Sequence, residues 1–324
     1  MNRTARRLGN STVHVGPLGL GCWPLAGMTR GGITAADARA TVAAAIAAGI
    51  THLDTAYCYG EAGESEAAIA AALSTHRRAD VVLAGKCGIH WEPGRKQVVD
   101  GRPERLRREV DESLRRLGTD HVDLLYLHAP DPRIPIEESA GTLASLRAEG
   151  KTVAVGASNI SVDLLDRFVA VCPLDACQMH YNILQREIEA DVLPWCRARG
   201  VSVVAYWPLM KGLLTDTMAR DRVFPTTDSR HKYPMFQGDE FQRNLDFVEA
   251  LRSIAHRLGR RVPDIVLAWT AEQDGIISVL VGATNPDQVR ENAGSLTCEI
   301  DDDARQAIAR AVAARGAVAS RKPV

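Results

Sequence analysis

A chain of 324 residues, 46% apolar and 24% charged, is long enough for a large core and has the composition of an ordinary globular protein. Its 39 lysines and arginines against 40 aspartates and glutamates leave a formal charge of −1, so no basic excess draws it to nucleic acid or to an anionic membrane. Seven cysteines without a C-x-x-C pair suggest neither a disulfide framework nor a zinc cluster, and no run approaches the roughly 18 apolar residues of a membrane span.

In chain order, residues 1–16 read as a short polar hairpin turning at Gly9-Asn10. No apolar segment follows the N-terminal arginines, so they do not read as a secretory leader, and a cytoplasmic location is expected. Eight short apolar runs come next: Leu18–Cys22, Thr51–Asp54, Val81–Lys86, Val122–His128, Thr152–Ser158, Ala176–Tyr181, Ser202–Trp207 and Ile277–Val281. Each reads as a strand buried on both faces, as in a parallel sheet. Amphipathic helices separate them. Thr34 and Asp37 form a capping box before the first, Pro103 and Pro135 open the third and fourth, and Ser161 can cap the fifth. Gly49, Gly118, Gly150 and Gly200 stand just past helix ends. The prediction is an α/β fold: one (β/α)8 TIM barrel over residues 1–324, with the N-terminal β-hairpin capping the barrel bottom. A long loop and extra helix are expected over 211–260, and a C-terminal helix and tail over 301–324.

Chemistry in such a barrel gathers where strands end and loops begin. Asp54 ends the second strand and is followed by Tyr59; Lys86 ends the third, and His128 the fourth. A lysine closing the buried run VVLAGK needs a partner, because an unpaired buried ammonium is costly, and Asp54 on the next strand is the natural one. Reduction of a carbonyl needs a proton donor at oxygen, and a nearby ammonium is expected to draw the Tyr59 phenol down toward working pH. His128 could orient the reacting oxygen. No metal site is expected. His52, His128 and His180 lie at or near strands, but no H-x-H or carboxylate set accompanies them, which weakens a metal-hydrolase reading.

The ordered segments L-G-L-G-C-W (18–23), D-T-A-Y-C-Y-G-E-A-G-E-S-E (54–66), A-G-K (84–86), D-L-L-Y-L-H (123–128), V-G-A-S-N (155–159), Q-M-H-Y-N (178–182), A-Y-W-P-L (205–209) and G-A-T-N-P-D-Q-V-R-E-N (282–292) resemble the aldo-keto reductase superfamily, in its bacterial branch, from about residue 5 to residue 296. The resemblance implies a nicotinamide-dependent oxidoreductase with Asp54, Tyr59, Lys86 and His128 as its catalytic tetrad. It implies an extended NADP(H), with NAD(H) the alternative. Ser158, Asn159 and Gln178 would hold the carboxamide and Tyr206 would stack on the ring. Trp207, Pro208, Leu209, Gly212 and Leu213 would line the pyrophosphate. Gly282, Ala283, Thr284, Asn285, Gln288, Glu291 and Asn292 would hold the adenosine end. The substrate, a small carbonyl compound or sugar, would meet Trp23, Tyr57, His90, Trp91 and the loop Lys211–Gln237.

Two positions depart from the pattern. The loop Gly282–Asp287 carries no cation for a 2′-phosphate, and Trp207 stands where a serine is usual. Without a G-x-G-x-x-G fingerprint no Rossmann site is expected. Carbonyl reduction, NAD-dependent oxidation of an aldose and a non-catalytic cofactor-binding subunit are the readings to separate.

Overall fold

The computed structural model describes residues 5–29, 31–226 and 228–319. The first four residues of the expected hairpin and the last five of the expected tail lie outside them. The chain opens with two short antiparallel strands, β1 (Arg6–Arg7) and β2 (His14–Val15). Then follow β3 (Leu18–Gly21), α1 (Ala35–Ala47), β4 (His52–Asp54), α2 (Glu64–Leu73) and β5 (Val82–Cys87). A second antiparallel pair, β6 (Ile89–Glu92) and β7 (Lys96–Val99), precedes α3 (Pro103–Leu117) and β8 (Val122–Leu127). The chain continues through α4 (Ile136–Ala148), β9 (Thr152–Ser158), α5 (Val162–Val169), β10 (Ala176–His180), α6 (Val192–Arg199) and β11 (Ser202–Tyr206). It ends with α7 (Gly238–Arg257), α8 (Val262–Glu272), β12 (Ile276–Gly282), α9 (Pro286–Ala293) and α10 (Asp302–Arg315).

Eight strands close into a parallel barrel in the order β3, β4, β5, β8, β9, β10, β11, β12, with helices between successive strands: the (β/α)8 fold. The strands read as uniformly apolar, yet their two faces differ. On the outward phase Leu53, Leu83, Leu125, Leu127, Val155 and Val203 join the large core between barrel and helices. On the inward phase Ala84, Leu124, Tyr126, Ala154, Ala176 and Val204 fill the barrel with mostly small residues. Side chains alternate faces along a strand. The inward phase therefore carries upward from Ala84 to Lys86, from Tyr126 to His128, from Ala176 to Gln178 and from Val204 to Tyr206. This parity is why the polar residues converge on the mouth.

The barrel has little spare room. Tyr126 on β8 faces Gly156 on β9 in register, and a Cβ at Gly156 would stand 2.3 Å from the Tyr126 ring. Below, Leu8, Val13 and Val15 of the β1–β2 hairpin pack into the same interior cluster and close the bottom. The Arg6 guanidinium donates to the Ile276 and Ile277 carbonyls at 3.1 and 2.6 Å. The turn falls at Gly9, whose φ of +52° is left-handed and whose amide donates to Ser202 Oγ at 2.8 Å.

The capping box on α1 forms as predicted: Asp37 N donates to Thr34 Oγ1 at 3.1 Å and Thr34 N to Asp37 Oδ2 at 3.2 Å. Pro103 occupies the first turn of α3, whereas Pro135 sits one position before α4. Ser161 stands at the N-cap of α5, but its hydroxyl makes no capping bond. Among the described residues no helix is long and apolar enough to cross a membrane.

Candidate active site

Asp54, at the end of β4, and Lys86, near the end of β5, meet at the mouth. The Lys86 ammonium is fully buried and donates to Asp54 Oδ1, to the Thr55 carbonyl at 2.9 Å and to the Tyr59 hydroxyl oxygen at 3.1 Å. Three acceptors match the three donors of an ammonium, which is what makes its burial tolerable. The second Asp54 oxygen accepts from Gln178 Nε2 at 2.7 Å. Tyr59 is held by the loop leading into α2. Its amide donates to the Ala56 carbonyl at 3.0 Å, its carbonyl accepts from Ser65 N at 3.3 Å, and Thr55 and Ser65 share a hydroxyl bond of 2.8 Å. His128 follows β8, and its ring meets that of Tyr59 edge-on at 5.8 Å between centroids. All four predicted tetrad residues are thus brought together.

The expected downward shift of the Tyr59 phenol is not seen. Burial raises it well above its ordinary value of 10.0, and the Asp54 carboxylate adds to that. The physical reason is that Asp54 accompanies Lys86, so the pair presents little net positive charge, while desolvation penalises the phenolate. Tyr59 therefore stands as a neutral phenol whose oxygen already accepts a bond from the ammonium.

Trp23 packs edge-on against Tyr59 at 5.2 Å, and Trp91 donates to the Cys58 carbonyl at 2.8 Å and joins the small cluster under Tyr59. Tyr57 and His90, expected beside them, are not brought there. The Tyr57 hydroxyl donates to Glu112 of α3 at 2.7 Å, with the Arg116 guanidinium 4.7 Å over its ring. His90 Nδ1 lies 3.5 Å from Glu109, also on α3. Strand alternation explains His90: on β6 it and Trp91 point to opposite faces. Cys58 received no role from the sequence, where it reads as one more buried thiol. Its Sγ lies 3.6 Å from His128 Nδ1 and 3.9 Å from Gln97 Nε2 on β7. Burial pushes the Cys58 thiol up to about 12, so it stays protonated. Its place directly before Tyr59 was the signal available.

The residues expected along a cofactor occupy the ends of the other strands. Ser158 and Gln178 are register partners on β9 and β10. Asn159, in left-handed backbone at φ 55°, donates to the His128 carbonyl at 2.9 Å and accepts from the Tyr206 hydroxyl at 2.6 Å. After β11, Trp207, Met210 and Lys211 also take positive φ, at 67°, 45° and 54°. Such strain in non-glycine residues gathers where function needs it. Pro208, Leu209, Gly212 and Leu213 follow this path, though the Leu213 side chain is fully buried. Lys211 Nζ lies 5.2 Å over the Trp207 ring and bonds Ser229 at 3.0 Å.

Past β12, Gly282 and Ala283 lead to Thr284, whose amide and hydroxyl donate to Gln288 Oε1 at 2.9 and 3.1 Å. Asn285 caps α9 by accepting from Gln288 N at 2.9 Å. Asn292 Nδ2 donates to the Gly282 carbonyl at 3.3 Å. Glu291 is ion-paired with Arg261 at 3.1 Å, and Arg290 with Asp287. In barrel order the tetrad spans β4, β5 and β8, and these residues span β9 to β12.

The donor set suits a nicotinamide. Ser158 and Gln178, side by side, would offer a hydroxyl and a side-chain carbonyl to a primary amide, and Tyr206 a ring face at the next strand end. Bound there, such a cofactor supplies or accepts a hydride.

Comparison with known proteins gives the family. The model of the aldo/keto reductase family matches residues 17–313. Among curated proteins, the NADH-specific methylglyoxal reductase of Escherichia coli (strain K12) is 35% identical over 309 residues, covering 91% of this chain and 94% of that one. Aldo-keto reductase YhdN of Bacillus subtilis (strain 168) is 35% identical over 284 residues, covering 87% and 85%. Among solved structures, the glycerol dehydrogenase AKR11B4 of Gluconobacter oxydans superposes with a TM-score of 0.90 at 34% identity, over 99% of this chain and 98% of that one. The chain belongs to the aldo/keto reductase family and is an oxidoreductase.

Proposed function

We propose that the protein interconverts an aldehyde or ketone and the corresponding alcohol, with Tyr59 as general acid in reduction and general base in oxidation. The observation that carries this is the three-way bond of Lys86 to Asp54, Thr55 and the Tyr59 oxygen. In reduction, hydride arrives at the carbonyl carbon while the Tyr59 phenol passes its proton to the carbonyl oxygen. The Lys86 ammonium, already bonded to the phenol oxygen, stabilises the phenolate as it forms. Asp54 keeps Lys86 charged and in place. In this reading His128 donates to the same carbonyl oxygen through Nε2, while its Nδ1 faces the Cys58 thiol at 3.6 Å. A purely non-catalytic role would leave this buried ammonium and its phenol without use.

For the cofactor we infer NAD(H) in preference to NADP(H). None of the residues expected at the adenosine end is a cation: Thr284 and Gln288 bond to each other, and the neighbouring Arg290 faces Asp287. A 2′-phosphate would meet hydroxyl and amide groups there, with the Asp287 carboxylate nearby. The Escherichia coli relative, an NADH-specific reductase, supports this preference. Fluorescence titration with NADH and NADPH, followed by turnover with an aldehyde panel, tests both parts. NADH is expected to bind at least as tightly as NADPH and to support reduction. Binding of NADPH alone would overturn the cofactor assignment, and cofactor binding without turnover on any carbonyl or alcohol would overturn the catalytic one. Thr284→Arg should raise NADPH affinity by roughly tenfold, by adding one charge-assisted bond.

A further inference from the structure

The β6–β7 hairpin lies against the loop that carries Tyr59, and its two faces meet different partners. Trp91 and Gln97 are register partners, as are Ile89 and Val99, so these four share one face, while His90 and Val98 point the other way. On the first face Ile89, Trp91 and Val99 pack with Ala56, Cys58 and Tyr59. There the Trp91 indole N–H donates to the Cys58 carbonyl at 2.8 Å, and Gln97 Nε2 lies 3.9 Å from Cys58 Sγ. On the second face His90 meets Glu109 of α3 at 3.5 Å.

Both ends of the hairpin are tied as well. At its root, two residues past Lys86, Gly88 turns the chain at φ +97°. Its amide donates to the buried Glu109 carboxylate at 2.6 Å, and its carbonyl accepts from Asp100 N at 2.9 Å. Glu109 also accepts from Arg105 Nε at 2.7 Å. At the tip, Arg95 is ion-paired at 2.8 Å with Glu61, two residues past Tyr59. The hairpin thus runs from the strand of Lys86 to the far side of the Tyr59 loop.

The Trp91 bond has a specific consequence. The Cys58 carbonyl and the Tyr59 amide belong to one peptide plane, so a bond that orients the carbonyl orients the plane from which the Tyr59 side chain leaves. Within the loop, Tyr59 N bonds the Ala56 carbonyl and Ser65 N the Tyr59 carbonyl. Trp91 adds a hold from a different element. The phenol oxygen has to stay at 3.1 Å from Lys86 Nζ while it meets a substrate oxygen, and proton transfer slows steeply when such a geometry drifts. Resting on the reading of Tyr59 as general acid and base, we propose that the β6–β7 hairpin is a strap that sets the Tyr59 phenol over Lys86, with Trp91 as a positioning residue acting through the Cys58–Tyr59 peptide. Trp91 then governs the chemical step and neither binding step.

The test is single-turnover reduction, from bound NADH, of the fastest aldehyde in a panel, by the full chain, by Trp91→Phe and by Tyr59→Phe, in light and heavy water. Steady-state KM for the aldehyde, NADH affinity and thermal melting are measured on each. In Trp91→Phe hydride transfer is expected to slow about tenfold, with KM and NADH affinity within about twofold of the wild type. Its solvent deuterium isotope effect should exceed that of the wild type, because a displaced phenol makes proton transfer a larger part of the barrier. Should Trp91→Phe not fold, β-(3-benzothienyl)alanine at position 91, which exchanges only the indole N–H for sulfur, carries the same comparison. Unchanged hydride transfer overturns the proposal. So does a raised KM at unchanged turnover, which would make Trp91 a substrate contact. Equal rates in the wild type and Tyr59→Phe, or bound NADH with no turnover in the wild type, are separate outcomes and sink the catalytic reading beneath.

Discussion

The Lys86 side chain carries no solvent exposure, and Asp54, Thr55 and Tyr59 make its charge tolerable there. Removing the carboxylate leaves a buried ammonium short of a partner. Asp54→Ala should therefore cost about 3–5 kcal/mol of stability as well as activity, measured by thermal melting alongside turnover. The pH response follows from Tyr59. In the proposed mechanism reduction needs the protonated phenol, and burial and Asp54 hold that form well above the usual range. Reduction should thus persist past about pH 10 and fall only as the raised value is crossed, while oxidation, which needs the phenolate, should climb over the same interval. Rate profiles in both directions check the sign. An alkaline limb of reduction already falling near neutral pH would contradict it. In the proposed mechanism Cys58 would act one step back, through the His128 ring that its sulfur faces at 3.6 Å. Cys58→Ala should lower turnover several-fold and Cys58→Ser restore much of it, with NADH affinity unchanged in both.

At the scale of single elements, packing inside the barrel sets the tolerances. Gly156 lies where the Tyr126 ring fills the space a Cβ would need, at 2.3 Å. Tyr126 is itself fully buried and cannot swing away. Gly156→Ala should destabilise by about 1–3 kcal/mol, read as a lowered melting temperature, whereas the exposed Gly31, with open space around it and no positive φ, should not show such a cost. The elements most legible in the chain were those with local signals. The α1 capping box rests on residues three apart, and the eight strands on short apolar runs between helical patterns. The β6–β7 hairpin was not read. Its turn at Pro93-Gly94-Arg95 is local, but its strands are polar and partly exposed and so lack an apolar run. That omission misplaced His90, since alternation on β6 was needed to see that His90 and Trp91 part company. Tyr57 escaped for a different reason: its partner, Glu112, lies 55 positions away on α3.

For the whole molecule, the gathering of Asp54, Tyr59, Lys86 and His128 was legible because four ionisable residues at or just past the ends of three consecutive barrel strands leave few alternatives once a barrel is assumed. The direction of the Tyr59 shift was not legible, because it depends on how much solvent the closed barrel excludes. The barrel interior also sets acid stability. His52 is fully buried beneath the mouth, with Nδ1 at 3.1 Å from Ser278 Oγ, and burial lowers it from 6.5 to about 4. A depressed value means the neutral ring is favoured in the fold. That stabilisation is complete above pH 6.5 and is lost as pH falls through about 4, with a total on the order of 3 kcal/mol. Stability measured by denaturant across that interval should fall on acidification, and His52→Gln should flatten the slope. An unchanged slope would remove His52 from the acid response.

The proton relay through position 59 is tested most directly by Tyr59→Phe, which deletes one oxygen and keeps the ring against Trp23 and His128. Single-turnover hydride transfer to an aldehyde from bound NADH should slow by about 10² to 10⁴, with NADH affinity within twofold of the wild type. Near-normal hydride transfer in Tyr59→Phe would show that the carbonyl oxygen takes its proton from elsewhere.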